Sequence, residues 1–131
     1  MSHMAHIGNI TIPADVDVWP HELKTAQALA SAGHDVRFVR KSDEPHMRTA
    51  DLLMDGITWE MKAPKSSQLS AVQRNLRRAL GQSPNVVFDS RRLKGLPDAA
   101  VERELRKWAG ELRSLRHLLF VNRHGKVIEI R

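Results

Sequence analysis

The stretch Asp51-Leu-Leu-Met-Asp-Gly-Ile-Thr-Trp-Glu-Met-Lys62 decides the fold of this chain, because it predicts a tight β-hairpin. Asp55-Gly56 is a strong signal for a two-residue turn between two strands. With such a turn, Asp51 pairs with Glu60, and the side chains of directly paired residues point to the same face. Side chains alternate along a strand, so Lys62 lies on the face of Glu60. The pattern therefore places two carboxylates and an ammonium together.

This cluster of charges indicates a functional site. Like charges directly opposite one another weaken a hairpin, so a pairing of Asp51 with Glu60 needs a reason. Two carboxylates can hold a divalent cation, and the ammonium of Lys62 can stabilise an anion or position a water molecule. The alternative interpretation is an exposed polar face that happens to be charged, because single Glu-x-Lys triplets are common.

The composition favours a polyanionic partner. The chain has 131 residues, enough for one domain with a real core. Lys and Arg number 21 against 15 Asp and Glu, giving a net charge of +6 and a pI near 10.3. This excess favours nucleic acid first and an acidic protein second. The absence of cysteine excludes disulfides and thiolate metal sites. No apolar run approaches the roughly 20 residues of a membrane span, and no signal peptide is present.

The remaining patterns predict one compact domain. Residues 1–4 are typical of an expression-vector remnant, residues 5–19 form an extended lead-in, and residues 20–131 form the folded domain. Helices are expected over residues 21–32, 68–81 and 97–115, and strands over 36–40, 50–54, 57–62, 85–89, 117–122 and 126–130. Residues 41–49 form a polar loop, and Ser66 or Ser67 caps the second helix. The order α-β-β-β-α-β-α-β-β predicts an α/β (α+β) single domain with a mixed sheet and flanking helices.

This order resembles the plan of the PD-(D/E)XK nuclease superfamily, with an acid opening the second strand and Glu-x-Lys on the third. Those enzymes commonly add a glutamate on the first helix, and Glu22 lies near the start of that helix. Ala26 and Leu29 follow at helical spacing, which places Glu22 on the inward stripe. The alternative interpretation is an acid that favours the first turn of a helix.

Longer motifs resemble one family of toxins. They are His21-Glu22-Leu23, Ala28-Leu29-Ala30, Gly33-His34-Asp35-Val36, Asp51-Leu52-Leu53, Trp59-Glu60-Met61-Lys62-Ala63-Pro64 and Gln82-Ser83-Pro84-Asn85-Val86-Val87. In their order and spacing they resemble the C-terminal tRNase toxin domains of contact-dependent growth inhibition proteins of the CdiA type. The resemblance covers residues 20–130. It implies an RNase that attacks tRNA in a target cell and is neutralised by a cognate immunity protein. Some toxin RNases of similar size have the barnase/EndoU/colicin/RelE-like fold and need no metal, so that fold is the alternative.

The resemblance implies a role for each residue of the centre. Glu22, Asp51, Glu60 and Lys62 would be catalytic, with Asp51 and Glu60 binding Mg²⁺ and Glu22 completing its shell directly or through water. Lys62 would orient the nucleophile and offset charge in the transition state. The nucleophile would be metal-activated water. In a metal-free mechanism it would be the ribose 2′-OH, with the carboxylates as general acid and base.

Basic and polar residues downstream of Lys62 are the candidates for substrate binding. Lys65, Ser66 and Ser67 lead into a helix N-terminus, which is a natural phosphate site. The other candidates are Gln73, Arg74 and Arg77 on the second helix and Arg91 and Arg92 in a basic loop. For each basic residue the alternative is a solvated surface charge.

The sequence leaves three functions open. The first is an antibacterial toxin ribonuclease domain, delivered from the surface of one bacterium within a larger protein and acting in the cytoplasm of another. The second is a metal-dependent DNA endonuclease of the PD-(D/E)XK superfamily. The third is a catalytically inactive nucleic-acid-binding module, which the intact Asp51, Glu60 and Lys62 argue against.

Overall fold

The computed structural model describes residues 6–40 and 50–131. For Ala50 it describes the backbone but not the side chain. The predicted vector-derived residues 1–4 and the predicted polar loop 41–49 lie outside the described residues. The chain divides into two compact units, Met1–Thr58 and Trp59–Arg131, called the first and second units below.

The first unit combines one helix with a small mixed sheet. Its elements are β1 (Ile10–Thr11), α1 (Pro20–Ser31), β2 (Val36–Arg40) and β3 (Ala50–Met54). β1 runs parallel to β2, and β3 runs antiparallel to β2 with Phe38 opposite Leu52. Leu29 of α1 is as completely buried as Phe38 and Leu52. The alternating burial along β2 follows from the period of two in a strand.

The hairpin turn has the predicted form. Asp55 and Gly56 have φ values of 56° and 79°, and a two-residue type I′ turn requires positive φ at both positions. The strand after the turn, β4, covers Ile57–Lys62. The carboxylate of Asp55 lies 3.1 Å from Nδ1 of His34, a residue just beyond the end of α1. The Asp-Gly signal therefore located the turn to the residue.

The second unit has a parallel sheet closed by one antiparallel strand. It contains most of β4, then α2 (Ser70–Leu80), β5 (Asn85–Asp89), α3 (Asp98–Glu111), β6 (His117–Val121) and β7 (Val127–Glu129). β4, β5 and β6 are parallel neighbours, and β7 is antiparallel to β6. Both helices cover one face, where Leu76 and Leu105 pack with Phe88 and Phe120. All five residues of β5 are buried, as in a central parallel strand.

The predicted α+β class and element order are confirmed from α1 onward, and β1 is a short strand within the predicted lead-in. Two helix boundaries differ from the prediction by more than one residue, the end of α3 and the start of α2. The helix α3 ends at Glu111 rather than at 115, because Leu112 has extended backbone angles. The predicted serine cap of α2 is wrong, because the N-cap residue is Leu69 and Ser66 Oγ instead accepts a hydrogen bond from Gln68 N, at 3.0 Å. None of the described helices is long and apolar enough to cross a membrane.

Candidate functional site

Glu60 and Lys62 lie on the face of the second unit's sheet that α2 and α3 cover. Glu60 is in register with Val86 of β5, and Lys62 is in register with Phe88. Paired residues of neighbouring strands point to the same face, and both Val86 and Phe88 belong to the core beneath the helices. Glu60 is 5% exposed, whereas Lys62, the last residue of β4, is half-buried. The glutamate is thus held in the sheet and the lysine lies at its carboxyl edge.

Glu60 differs from most of the described carboxylates in being buried. Among the described residues, Glu60 and Asp89 are the two buried acids, and both belong to the second unit. A buried carboxylate is costly unless it is paired or hydrogen-bonded, so each of the two needs a structural or chemical reason. Trp59 precedes Glu60 and therefore points to the opposite face of β4, where it is buried with its indole 5.8 Å from the ring of His117.

The burial of Asp89 is explained by its ion pair with Arg91. The Arg91 Nη2–Asp89 Oδ2 distance is 2.7 Å, and Nε lies 3.1 and 3.2 Å from the two carboxylate oxygens. The backbone N–H of Arg91 also donates to Oδ1, at 2.9 Å. The positive charge of Arg91 is therefore balanced inside the protein. Its predicted role as a substrate ligand stays a prediction, but the structure gives it a role in anchoring the loop after β5.

Sequence reasoning missed Asp89 as an anchor. It is the last residue of β5, a strand with parallel neighbours on both sides, and ligand sites of α/β sheets lie at the carboxyl ends of such strands. The next residue, Ser90, is also buried and donates from its backbone N–H and its hydroxyl to the Val121 carbonyl, at 3.0 and 3.1 Å. The signal was present in the sequence as an acid closing the apolar run Val86-Val87-Phe88.

Two predicted substrate-binding loops meet at this carboxyl edge. Ser66 forms an isolated parallel β-bridge with Leu93, and the backbone N–H of Lys94 donates to the Ser66 carbonyl, at 2.9 Å. The segment around Lys65, Ser66 and Ser67 therefore runs beside the segment that contains Arg92. Lys65 and Lys94 are exposed, and Arg92 is half-buried. The structure thus brings both basic loops to one edge.

The helix α2 supplies the remaining predicted substrate contacts. Arg74 and Arg77 are exposed, Gln73 is half-buried, and Arg74 Nη1 donates to Ser70 Oγ, at 3.1 Å. The helix carries three arginines and no acid. It starts at the carboxyl edge, because the loop that begins there leads into it.

Glu22 and Asp51 belong to the first unit. Glu22 is the third residue of α1, and its Oε1 accepts a hydrogen bond from the backbone N–H of Trp19, at 2.8 Å. This contact is one half of a capping box. Glu22 therefore stabilises the first turn of α1, whether or not it also has a catalytic role. Asp51 is half-buried on β3 opposite Val39, and its Oδ1 is shielded from solvent. The pairing of Asp51 with Glu60 stays a prediction.

No group of three or more His, Asp or Glu side chains within residues 6–40 and 50–131 is arranged to hold a metal ion. Mg²⁺ is commonly bound by only one or two carboxylates, with water and substrate phosphate completing its shell. A buried glutamate next to basic loops fits that kind of donor set. A groove of about 370 Å³ in the first unit, lined by Arg37, Leu53 and Asp55 among others, contains none of the predicted site residues.

The charges of the chain are divided between the two units. The second unit has 16 Lys and Arg against 7 Asp and Glu, a net charge of +9. The first unit has 5 Lys and Arg against 8 Asp and Glu, a net charge of −3. Such asymmetry between halves points to a polyanion for the basic half. Every predicted substrate-binding residue lies in that half.

The chain is similar to proteins of contact-dependent growth inhibition. The model of the contact-dependent growth inhibition CdiA C-terminal domain matches residues 48–127, more than half of the chain. The fold is similar to that of a chain from a CdiA-CT/CdiI toxin and immunity complex from Burkholderia pseudomallei, with a TM-score of 0.69 and 16% identity. That alignment covers 95% of this chain and 99% of the other. No curated protein matches. The chain belongs to the contact-dependent growth inhibition CdiA C-terminal domain family.

Proposed function

We propose that this toxin domain is a ribonuclease that cleaves phosphodiester bonds in tRNA, with Glu60 and Lys62 at its centre. The observation that carries the proposal is the carboxyl edge of β4 and β5. A buried glutamate and a lysine two residues apart lie on one face there, beside two basic loops joined by the Ser66–Leu93 bridge. The choice of tRNA rests on the motifs that resemble those of toxin tRNases.

The chemistry follows from the positions of these groups. Phosphodiester cleavage builds negative charge on the phosphoryl oxygens, and a fixed ammonium such as that of Lys62 stabilises that charge. A carboxylate such as Glu60 would bind a divalent ion such as Mg²⁺, or it would accept a proton as a general base. When bound, the ion would supply an activated water and neutralise phosphate charge. The roles of Asp51 and Glu22 as further carboxylates stay predictions.

The basic loops would hold the RNA backbone. Lys65, Arg92 and Lys94 present ammonium and guanidinium groups, which bind phosphates as point charges or bidentate partners. Arg91 is already bound to Asp89, so we assign it to holding its loop in place. Ser66 and Ser67 add hydroxyl groups where the two loops meet.

A cognate immunity protein is the proposed protein partner, since the similar chain from Burkholderia pseudomallei was solved in a toxin and immunity complex. Its natural target would be the second unit, whose net charge of +9 attracts an acidic surface as well as RNA. We further propose that the domain is delivered as part of a larger bacterial protein and acts in the cytoplasm of the target cell.

Cleavage assays with matched variants test the proposal. The purified domain is incubated with total tRNA and with plasmid DNA, each with Mg²⁺ and with EDTA. Glu60→Gln and Lys62→Ala are expected to lower tRNA cleavage by about 100-fold or more. Glu129→Gln and Lys126→Ala, which alter exposed residues of the same unit, are the matched controls and are expected to cut normally.

Each outcome separates one alternative. Discrete tRNA fragments that need Mg²⁺, Glu60 and Lys62 support the metal-dependent ribonuclease. Fragments that persist in EDTA keep the ribonuclease and move it to metal-free chemistry. Degraded plasmid with intact tRNA indicates a DNA endonuclease, and no cleavage of either indicates a binding module. Circular dichroism of each variant checks that a lost activity is not a lost fold.

A further inference from the structure

Two cations converge on one indole where α2 and α3 pack together. The guanidinium carbon of Arg77 lies 5.6 Å from the centre of the Trp108 ring, and Nζ of Lys107 lies 5.1 Å from it. The indole is held in place by the hydrogen bond from its Nε1 to Glu104 Oε2, at 3.0 Å. Trp108 also packs against the core of the second unit. We call Arg77, Lys107 and Trp108 the indole cluster.

The indole cluster differs from an ordinary pair of surface charges. The side chains of Arg77 and Lys107 are exposed, and attraction to the ring orients both of them. Two like charges held beside one ring repel each other, and within the described residues neither Arg77 nor Lys107 forms a salt bridge with a carboxylate. Arg106, on the same helix, is neutralised by Glu102 at 3.0 Å. A bound polyanion would relieve the repulsion between Arg77 and Lys107. At Arg106 it would relieve no such repulsion, because Glu102 already balances that charge.

The indole cluster is also set back from the carboxyl edge. Arg77 is seven residues after the first residue of α2, and Trp108 is ten after the first residue of α3. Both helices begin after loops that leave the carboxyl edge. At 1.5 Å per residue, these positions lie about 10–15 Å along the helices from the edge. A substrate that contacted the edge and the indole cluster together would therefore span several nucleotides.

We propose that the indole cluster is a second binding site for the RNA backbone, separate from the cleavage edge. This inference rests on the proposed ribonuclease function and extends it to a substrate large enough to reach both places. Arg77 and Lys107 contact phosphates, and Trp108 orients the two cations by its contact with both of them. The site favours a folded RNA such as tRNA over a short oligonucleotide.

Binding of unfractionated tRNA to the Lys62→Ala protein, which leaves the RNA uncut, tests the site. The variant Arg77→Gln/Lys107→Gln is compared with Arg106→Gln/Lys126→Gln, which removes the same two charges elsewhere in the unit. The first pair is expected to raise the Kd about 10- to 100-fold and to lower the salt dependence by about two phosphate contacts. The control pair is expected to change the Kd less than threefold.

Other results would overturn the inference in distinguishable ways. Equal weakening by both pairs would show diffuse attraction by the net charge, and the ribonuclease proposal would stand. Unchanged tRNA binding with loss of binding to an acidic immunity protein would assign the indole cluster to that partner. Absence of tRNA binding by the Lys62→Ala protein itself would defeat the proposed function, and this inference with it.

Discussion

Replacing Asp89, the buried last residue of β5, by alanine is expected to destabilise the protein strongly. Its side chain is 4% exposed and accepts four hydrogen-bond contacts from Arg91. Breaking a fully buried ion pair by removing one partner costs about 3–5 kcal/mol. The side chain of Arg91 is 28% exposed, so water can solvate part of the freed guanidinium. The expected cost is therefore about 2–3 kcal/mol.

Thermal unfolding followed by far-ultraviolet circular dichroism measures this cost. Unfolding entropy near 2.1 cal/mol/K per residue gives a fall in Tm of about 7–11 °C for a chain of this length. Asp89→Asn keeps an acceptor and is expected to fall between the alanine variant and the unaltered protein. Glu102→Ala is the control, because it removes an exposed i,i+4 partner of Arg106 worth about 0.3–0.5 kcal/mol.

The comparison also tests the link from the anchor to function. Asp89 holds the start of the loop that carries Arg92 and Lys94, so Asp89→Ala is expected to weaken tRNA binding even at temperatures where the protein is folded. The reasoning would be refuted by a Tm loss under 2 °C, equal to that of Glu102→Ala. Such a result would mean that the carboxylate of Asp89 is solvated in the native protein and anchors nothing.

Three further predictions follow from the turn, the core and the charge. Gly56→Ala is expected to lower the free energy of unfolding by about 1–2 kcal/mol, because the backbone φ of Gly56 is +79° although no atom crowds the added methyl group. Gly110→Ala has equal room inside α3 and is expected to raise the free energy of unfolding by up to about 1 kcal/mol. Urea unfolding of the two variants should therefore show changes of opposite sign. Leu105→Ala is expected to cost about 3–5 kcal/mol with an unchanged m-value, since its side chain is completely buried, and a loss under 1 kcal/mol would contradict the assigned core. Affinity for tRNA is expected to fall about 100-fold between 50 and 200 mM salt if about four phosphates are contacted, and a salt-independent Kd in a filter-binding titration would exclude backbone recognition.

Local signals in the sequence predicted the elements better than their ends. Asp55-Gly56 located the hairpin turn because few residues tolerate positive φ at two successive positions. The end of α3 was wrong because Leu112 and Leu115 continue the helical spacing, yet Leu115 is buried after the chain has left the helix. Spacing alone cannot distinguish an apolar residue of a helix from one in the turn that follows it.

The candidate site was predictable where one strand carries it. Glu60 and Lys62 are two residues apart, so alternation along β4 places both on one face whatever surrounds them. Asp89 was missed because its partner Arg91 looked like a free cation in a basic loop. Glu22 shows the reverse case, since an acid at the third position of a helix satisfies the backbone at Trp19 and needs no catalytic role to explain it. Which charges are neutralised inside the protein depends on contacts that spacing does not reveal.

Because charge is divided unevenly between the two units, the net charge of +6 does not describe the local charge that a polyanion encounters at either unit. The second unit alone carries +9, and the first unit carries −3, so attraction is concentrated on the unit that holds Glu60 and Lys62. Within that unit, Arg91 and Arg106 are held by Asp89 and Glu102, and their charges contribute little to the field. Of the other 14 basic residues of that unit, six lie on the basic loops and the helix α2. Because a field of this kind acts on encounter rates over about a Debye length, it would orient RNA toward the carboxyl edge before any contact forms.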